Sequence, residues 1–319
     1  MKRPIQSTAL LTLALAGAIA GVGALSARVQ ARPAVDHSSS ATPASKINSR
    51  VLADTAGGRN APIVIVLTDQ ADTSAGAKIK DQNAQGWYVY NTLKNKADAT
   101  QGPLKTLLAA QGRAYQSYWA ANILVTTANA AVVQNLAARS DVQAIEPNDA
   151  MLGIEPPSIA DQSLSPTAPT AVEWGVANVN APQVWAMGFT GQNIVIGNAD
   201  TGMQWDHPAL KPHYRGWDGT TADHNYNWHD SIHTGGNAAC PPNSVMPCDD
   251  SQHGTHTTGT TSGDDGAGNQ IGVAPGARWI GTRNMDRGNG TPATYTESFQ
   301  WFIAPTDLSG NNPDPTKRP

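Results

Sequence analysis

An apolar run that ends in an aspartate and a tight turn constrains the fold more than any other stretch. The run begins with three β-branched residues at 194–196 and leads to Asp200, which Thr201 and Gly202 follow. Continuous apolar character is typical of a strand buried on both faces of a parallel sheet, and glycine lets the chain turn away sharply. We therefore predict a core strand over residues 193–198 with Asp200 at its carboxyl end, where the sites of open α/β sheets gather.

A second motif, S-Q-H-G-T-H-T-T-G at residues 251–259, places two histidines three positions apart. It predicts a helix over residues 253–262 that Ser251 starts, so that His253 projects from the same edge of the sheet as Asp200. A neighbouring carboxylate fixes the tautomer of a histidine and stabilises its imidazolium form. Asp200 and His253 are therefore candidates for two members of a Ser-His-Asp triad.

The amino terminus predicts export. Lys2 and Arg3 precede an apolar run at 9–25 and small residues suited to cleavage, which is typical of a secretory signal peptide over residues 1–31. A membrane anchor is the alternative, since the run is marginal in length for spanning a bilayer. We expect a secreted protein, extracellular or periplasmic.

Composition divides the remaining chain into four segments. Two are rich in Ser, Ala, Thr and Pro and predict a flexible spacer and an exposed, cleavable linker. The strand and helix signals of the segment between them run β-α-β-(β)-α-β, the order of a small split-βαβ sandwich. The predicted segments are the spacer at 32–60, the small domain at 61–150, the linker at 151–170 and the motif-bearing domain at 171–319.

Charge and cysteine content limit the partners and the redox state. The net charge of −4 over 319 residues, with no basic block, argues against a nucleic-acid partner. Cys240 and Cys248 are the only cysteines, and in an exported chain they are candidates for one disulfide. Two free thiols are the alternative.

Three motifs in register resemble the subtilisin-like serine proteases, peptidase family S8. They are D-T-G-x-x-x-x-H-P-x-L from Asp200, H-G-T-H-x-x-G from His253 and G-V-A-P-x-A at residues 272–277. The resemblance implies an α/β fold, a partial subtilisin-like parallel-sheet sandwich. Residues 61–150 resemble, by layout and strand order, the inhibitor I9-like propeptide of these enzymes, a small α+β (ferredoxin-like) domain.

The resemblance also implies roles and partners. Asp200 would orient His253, and His253 would be general base and acid. The motif residues Gly202, His207, Gly254, His256 and Gly259 would be structural. The family is made as a zymogen that hydrolyses proteins or peptides, with the intramolecular propeptide as partner, no cofactor required for the chemistry and no stable membrane association after signal cleavage.

This chain departs from the family pattern at four points. Ala209 stands where many members have a calcium-binding aspartate, although calcium could still be bound as a structural ion. Thr257 and Thr258 replace a small apolar pair. The oxyanion Asn segment and the G-T-S-x-[SA] nucleophile segment are both missing. We therefore expect a chain truncated before the catalytic serine, unable to form an acyl-enzyme.

Other interpretations stay open at this point. The chain could be a catalytically dead fragment, or a module whose small domain inhibits a foreign protease. His253 and His256, with the His-rich region at 207–233, could instead serve a zinc-dependent hydrolase. The stretch at 264–269 could hold calcium, although a polar turn fits it better. Three tryptophans could bind sugar, although burial is the better interpretation: Trp205, Trp217 and Trp228.

Overall fold

The computed structural model describes residues 42–153 and 172–319, which we call the amino-terminal and carboxyl-terminal regions. The predicted signal peptide, the start of the spacer and the linker from residue 154 onward lie outside these residues. All described residues belong to one compact unit. None of the helices in the two regions is both long and apolar enough to cross a membrane.

The amino-terminal region forms a four-stranded antiparallel sheet with the order β2-β3-β1-β4. Its strands are β1 (Ala61–Leu67), β2 (Tyr115–Tyr118), β3 (Ile123–Ala128) and β4 (Val142–Pro147). Its helices are α1 (Ser49–Asp54), α2 (Gln82–Thr100), α3 (Gly102–Ala110) and α4 (Ala130–Ala137). Along the chain these elements run β1-α2-α3-β2-β3-α4-β4, which agrees with the predicted element order β-α-β-(β)-α-β. Pro103 lies in the first turn of α3, where its missing N–H leaves no bond unmade.

Both faces of this sheet are covered. On one face, Ile63 and Ile65 of β1 pack with buried residues of α1, α3 and α4. On the other face, Val64 and Tyr118 pack with Ala293 of the carboxyl-terminal region. Because successive side chains of a strand point to opposite faces, β1 is apolar throughout. The sheet therefore joins its own helices to the second region.

The carboxyl-terminal region is built on a parallel sheet of three strands in the order β6-β8-β7. They are β6 (Val195–Asp200), β7 (Trp228–Asp230) and β8 (Arg278–Arg283). The helices are α5 (Trp174–Asn178), α6 (Ala181–Ala186), α7 (His253–Ser262) and α8 (Pro292–Ile303). The mixed α/β fold with a parallel sheet confirms the predicted fold class. Arg283 pairs in register with both Asp200 and Asp230, so three strands end at one edge.

A third, small sheet links the two regions. Its strands are β5 (Met151–Leu152), β9 (Met285–Asp286) and β10 (Asn289–Gly290). Both pairings are antiparallel, with β10 in the centre. The end of the amino-terminal region therefore lies as an added strand against the hairpin that follows β8.

The predicted burial of β6 on both faces is wrong for the described residues. Val195 and Ile196 are only partly buried, and Ile194 is 57% exposed. The physical reason is position, because β6 forms the edge of the three-stranded sheet and pairs with β8 alone. The strand itself runs two residues further than predicted and ends at Asp200.

The core of the carboxyl-terminal region lies beside this sheet and is rich in aromatic side chains. Trp228, Trp279 and Tyr214 are buried together with Met203 and Leu210. Trp205 and Trp217 pack against the same cluster. The interpretation that the three tryptophans are core residues is therefore confirmed for Trp228 and supported for the other two.

Candidate active site

Asp200 and His253 meet at the carboxyl edge of the parallel sheet. Nδ1 of His253 lies 2.8 Å from Oδ1 and 2.9 Å from Oδ2 of Asp200. Asp200 is buried, whereas the His253 side chain is 36% exposed. With Nδ1 bonded to the carboxylate, Nε2 is the ring nitrogen left to take up a proton. The arrangement is that of a carboxylate-oriented general base.

Two glycines allow the elements to approach closely enough for this contact. Gly202 has φ +102°, and a Cβ there would collide with the carbonyl of Cys248. A Cβ on Gly254 would collide with the carbonyl of Gly202. At Gly259, by contrast, a Cβ would lie in ordinary contact, 3.5 Å from Ile271. Close packing therefore requires glycine at the first two positions and not at the third.

Asp249, which the sequence argument did not single out, ties the two elements together. Its Oδ1 accepts from the hydroxyl of Thr201 at 2.8 Å and from the backbone N–H of Ser251 and Gln252. Its Oδ2 accepts from both the N–H and the hydroxyl of Thr255. The prediction that Ser251 starts the helix is wrong, because Asp249 satisfies the free N–H groups around the start of α7.

A buried arginine organises the loop that follows β7. Arg283 is fully buried and donates to both carboxylate oxygens of Asp230 at 2.9 Å. It also donates to the carbonyl oxygens of Cys240 and Pro241. The predicted disulfide joins Cys240 to Cys248, with 5.3 Å between the Cα atoms. The bridge and the arginine together fix the loop that leads to Asp249.

A histidine of β7 and one from the loop after it converge on one glutamate of α8. Nε2 of His229 and Nε2 of His233 each lie 2.9 Å from Oε1 of Glu297. The hydroxyl of Tyr118, from the amino-terminal region, donates to Oε2 at 3.2 Å. Burial pushes the pKa of Glu297 up, but the two histidines outweigh it and hold the pKa at about 2. Nδ1 of His233 is also 2.6 Å from the amide oxygen of Asn243.

The remaining motif histidines lie apart from the Asp200–His253 pair. His207 and His256 line an open cavity of about 600 Å³ together with Trp174 and Ile271. Nδ1 of His207 accepts from the N–H of Ala209 at 3.2 Å, whereas His256 is exposed. The expected packed position of His256 is therefore not found, because within the described residues this cavity is uncovered. The structure does not bring either histidine into contact with Asp200.

The structure offers little to a metal. Across residues 42–153 and 172–319, no three His, Cys, Asp or Glu side chains are grouped so as to hold an ion. Asp264 and Asp265 accept from backbone N–H groups of their own turn, as the polar-turn interpretation predicts. Ala209 is buried and has no side-chain oxygen to offer. The zinc interpretation is thus unsupported, and a structural calcium ion stays a prediction.

Met151 and Leu152 lie next to this site as strand β5. Leu152 pairs with Asn289 and Met151 with Gly290, and the N–H of Gly153 donates to the carbonyl of Gly288 at 2.9 Å. Tyr295 borders Gly153 and Gly290. Burial and then the charge of Asp200 raise the pKa of Tyr295. The N–H of Asn284, the residue before β9, donates to the carbonyl of Asp200 at 2.9 Å, so the hairpin of β9 and β10 begins beside the Asp200–His253 pair.

Comparison with known proteins agrees with this geometry. The model of the subtilase family matches residues 191–314. Bacillopeptidase F of Bacillus subtilis is 34% identical over 243 residues, which cover 72% of this chain and 16% of that protein. Subtilisin E of the same organism is 26% identical over 136 residues, 42% of this chain and 30% of that protein. The chain therefore spans less than a third of the length of either relative.

A solved structure is also similar, the epidermin leader peptide processing serine protease from Staphylococcus aureus. It matches with a TM-score of 0.46 and 14% identity, over 79% of this chain and 48% of that one. The family match covers both the strand that ends at Asp200 and the helix that begins at His253. Residues 191–314 of this chain belong to the subtilase family.

Proposed function

We propose that this chain is part of a secreted subtilisin-like serine endopeptidase made as a zymogen. Asp200 orients His253, and His253 takes the proton of a serine hydroxyl and returns it to the leaving amine. The observation that carries the proposal is the bond from Nδ1 of His253 to Asp200, with Nε2 left free for the nucleophile. The serine segment of the family pattern is not found in these 319 residues, so the activity belongs to the protein that also contains it.

The zymogen part of the proposal is supported by how the amino-terminal region meets the site. Strand β5 adds to the edge of β10, so Met151–Gly153 occupies a strand edge that an extended peptide substrate could use. The 243 residues similar to Bacillopeptidase F exceed the length of the carboxyl-terminal region, so the similarity extends into the amino-terminal region. We propose that residues 61–150 act as the propeptide and cover the site until the chain is cut in the linker.

The test uses the protein made from the complete reading frame that contains this chain. A fluorophosphonate probe should label it once, and it should hydrolyse a peptide substrate. Replacing His253 or Asp200 by Ala should lower kcat by several orders of magnitude, as expected for triad members. Self-cleavage between Gly153 and Val172 should appear in the active protein and be missing from His253→Ala.

Two results would overturn the proposal. A folded full-length protein that neither reacts with the probe nor cleaves peptide is not a serine peptidase. If such a protein instead inhibited an added subtilisin, the inhibitor-module interpretation would replace the proposal. Hydrolysis that survives His253→Ala would show that the assigned pair does not perform the chemistry.

A further inference from the structure

Thr257 departs from the family pattern, which has a small apolar residue at this position, and it is the departure nearest to the candidate site. Its hydroxyl lies 2.9 Å from Oδ2 of Asp200, the carboxylate that holds His253. The other oxygen, Oδ1, accepts from the backbone N–H of Thr201 at 2.7 Å. Each oxygen of Asp200 therefore has a donor of its own in addition to the histidine.

Neighbouring contacts determine where the hydroxyl proton of Thr257 points. Nδ2 of Asn198 donates to the hydroxyl oxygens of Thr258 at 2.6 Å and of Thr257 at 3.1 Å. Thr258 in turn donates to the carbonyl of Gly254 at 2.7 Å. Thr257 is further from that carbonyl, 3.2 Å, than from Asp200. Since an ionised carboxylate is an acceptor only, the proton of Thr257 goes to Asp200.

The donor that orients Thr257 comes from the same strand as Asp200. Asn198 and Asp200 are two residues apart on β6, so their side chains leave the same face. Thr257 lies one helical turn after His253 on α7, so the two side chains lie on the same face of the helix and both reach Asp200. Strand and helix thus set the hydroxyl in position before any substrate arrives.

We propose that Thr257 is a positioning residue that acts on His253 through Asp200. Its hydrogen bond prevents the carboxylate from rotating and takes up part of its negative charge, so that the Nδ1 proton of His253 meets a fixed but weaker acceptor. The importance of this for catalysis rests on the proposed function. The arrangement itself belongs to the described residues.

The test is NMR spectroscopy of the full 319-residue chain with 15N-labelled histidine. A proton held between Nδ1 of His253 and Asp200 gives a resonance far downfield of the other ring protons. Thr257→Val keeps the shape and removes the donor, so this resonance should move further downfield. Exchange of this proton with water should become slower, because the hydrogen bond to Asp200 is stronger. Thr257→Ser restores the hydroxyl and should return both values to those of the unchanged chain.

The matched control is Thr260→Val on the same helix. Thr260 is exposed, and its hydroxyl reaches the carbonyl of His256 at 3.2 Å, away from Asp200. It carries the same loss of hydroxyl and the same change in helix propensity. If Thr257→Val matches Thr260→Val and the unchanged chain in both readouts, the proposal is wrong.

Two further variants keep the test decisive. If circular dichroism shows that Thr257→Val does not fold, Thr257→Ala takes its place. The same changes are expected of it, and their absence would overturn the proposal in the same way. Asn198→Ala removes the group that directs the hydroxyl, and it should move both values in the same direction by a smaller amount. Neither readout requires hydrolysis, so failure of the proposed protease activity and failure of this inference are separate results.

Discussion

Gly202 shows how a single missing side chain sets the geometry next to Asp200. The residue follows directly after the strand end, adopts φ +102° and lies against the backbone of Cys248. Gly254 in turn lies against the carbonyl of Gly202. The disulfide loop, the strand end and the first turn of α7 therefore contact one another through backbone atoms. Any side chain at these positions would separate Asp200 from His253.

We predict that Gly202→Ala destabilises the chain by about 2 kcal/mol or more, because alanine is strained at positive φ and its Cβ would collide with a backbone carbonyl. The control is Gly266→Ala, which also has positive φ, +69°, but meets no atom within 4 Å. Urea denaturation of both variants separates strain from collision. Equal losses of unfolding free energy would show that the collision contributes nothing.

The sequence predicted that Asp200 and His253 would meet, but not the residues that position them. Asp200 and His253 could be predicted because each stands in a motif with fixed neighbours. Asp249 was not predicted because it lies four positions before His253, outside the usual capping position, and the helix start was assigned to Ser251. Arg283 was missed because a fully buried arginine depends on carbonyl and carboxylate partners from distant parts of the chain.

At the scale of elements, α8 is the helix that joins the two regions. Ala293 packs under the sheet of the amino-terminal region, and its N–H donates to the side chain of Asn148 at 2.9 Å. Glu297 forms hydrogen bonds with His229, His233 and Tyr118. Gln300 accepts from the N–H groups of Trp119 and Ala120. One face of this helix therefore contacts the other region through successive turns.

The contact between Glu297 and His233 should make stability depend on pH. The hydrogen bond to Glu297 raises the pKa of His233 from 6.5 to about 9, so its contribution is complete below pH 6.5 and lost as the pH rises through 9. The pKa of Glu297 is lowered from 4.5 to about 2, so its contribution is complete above pH 4.5 and lost as the pH falls through 2. Both are present between pH 4.5 and 6.5.

We predict that His233→Gln lowers the unfolding free energy most between these two pH values and very little above pH 9. Urea denaturation over a pH series measures this difference. His213→Gln is the control, because His213 faces a backbone carbonyl at 3.3 Å and has no carboxylate partner. A loss that stays the same from pH 5 to pH 10 would contradict the ion-pair explanation.

Element types were easier to predict than their surroundings. The helix predicted over residues 253–262 is found at His253–Ser262, and the strand predicted over residues 193–198 is found at Val195–Asp200. Burial of β6 could not be predicted, because an apolar strand gives no information about which layers cover it. The contacts of His229 and His233 could not be predicted for a related reason, since their partner Glu297 comes more than 60 residues later.

For the whole molecule, the contact between the regions should survive a cut in the chain. The main-chain pairing of β5, the packing under the first sheet and the two bonds to Gln300 all join residues on opposite sides of residues 154–171. A chain cut once between Gly153 and Val172 should therefore run as a single complex in size-exclusion chromatography.

Gln300→Ala should weaken that complex about tenfold or more, because it leaves the N–H groups of Trp119 and Ala120 without their acceptor in a partly buried place. Gln134→Ala, an exposed helical glutamine in the amino-terminal region, is the control. Isothermal titration of the separated halves, or dilution of the cut chain, gives the dissociation constant. Equal constants for the two variants would show that Gln300 does not hold the regions together.

The strand ends also distribute electric charge. Arg283 has an aspartate beside it on either strand, but both oxygens of Asp230 take its guanidinium, and the cation is neutralised on that side. Among the described residues, the ion-pair partner of Asp200 is His253, whose ring is charged only when it is protonated. By binding Arg283, Asp230 thereby keeps a permanent cation from competing with the His253 ring for Asp200.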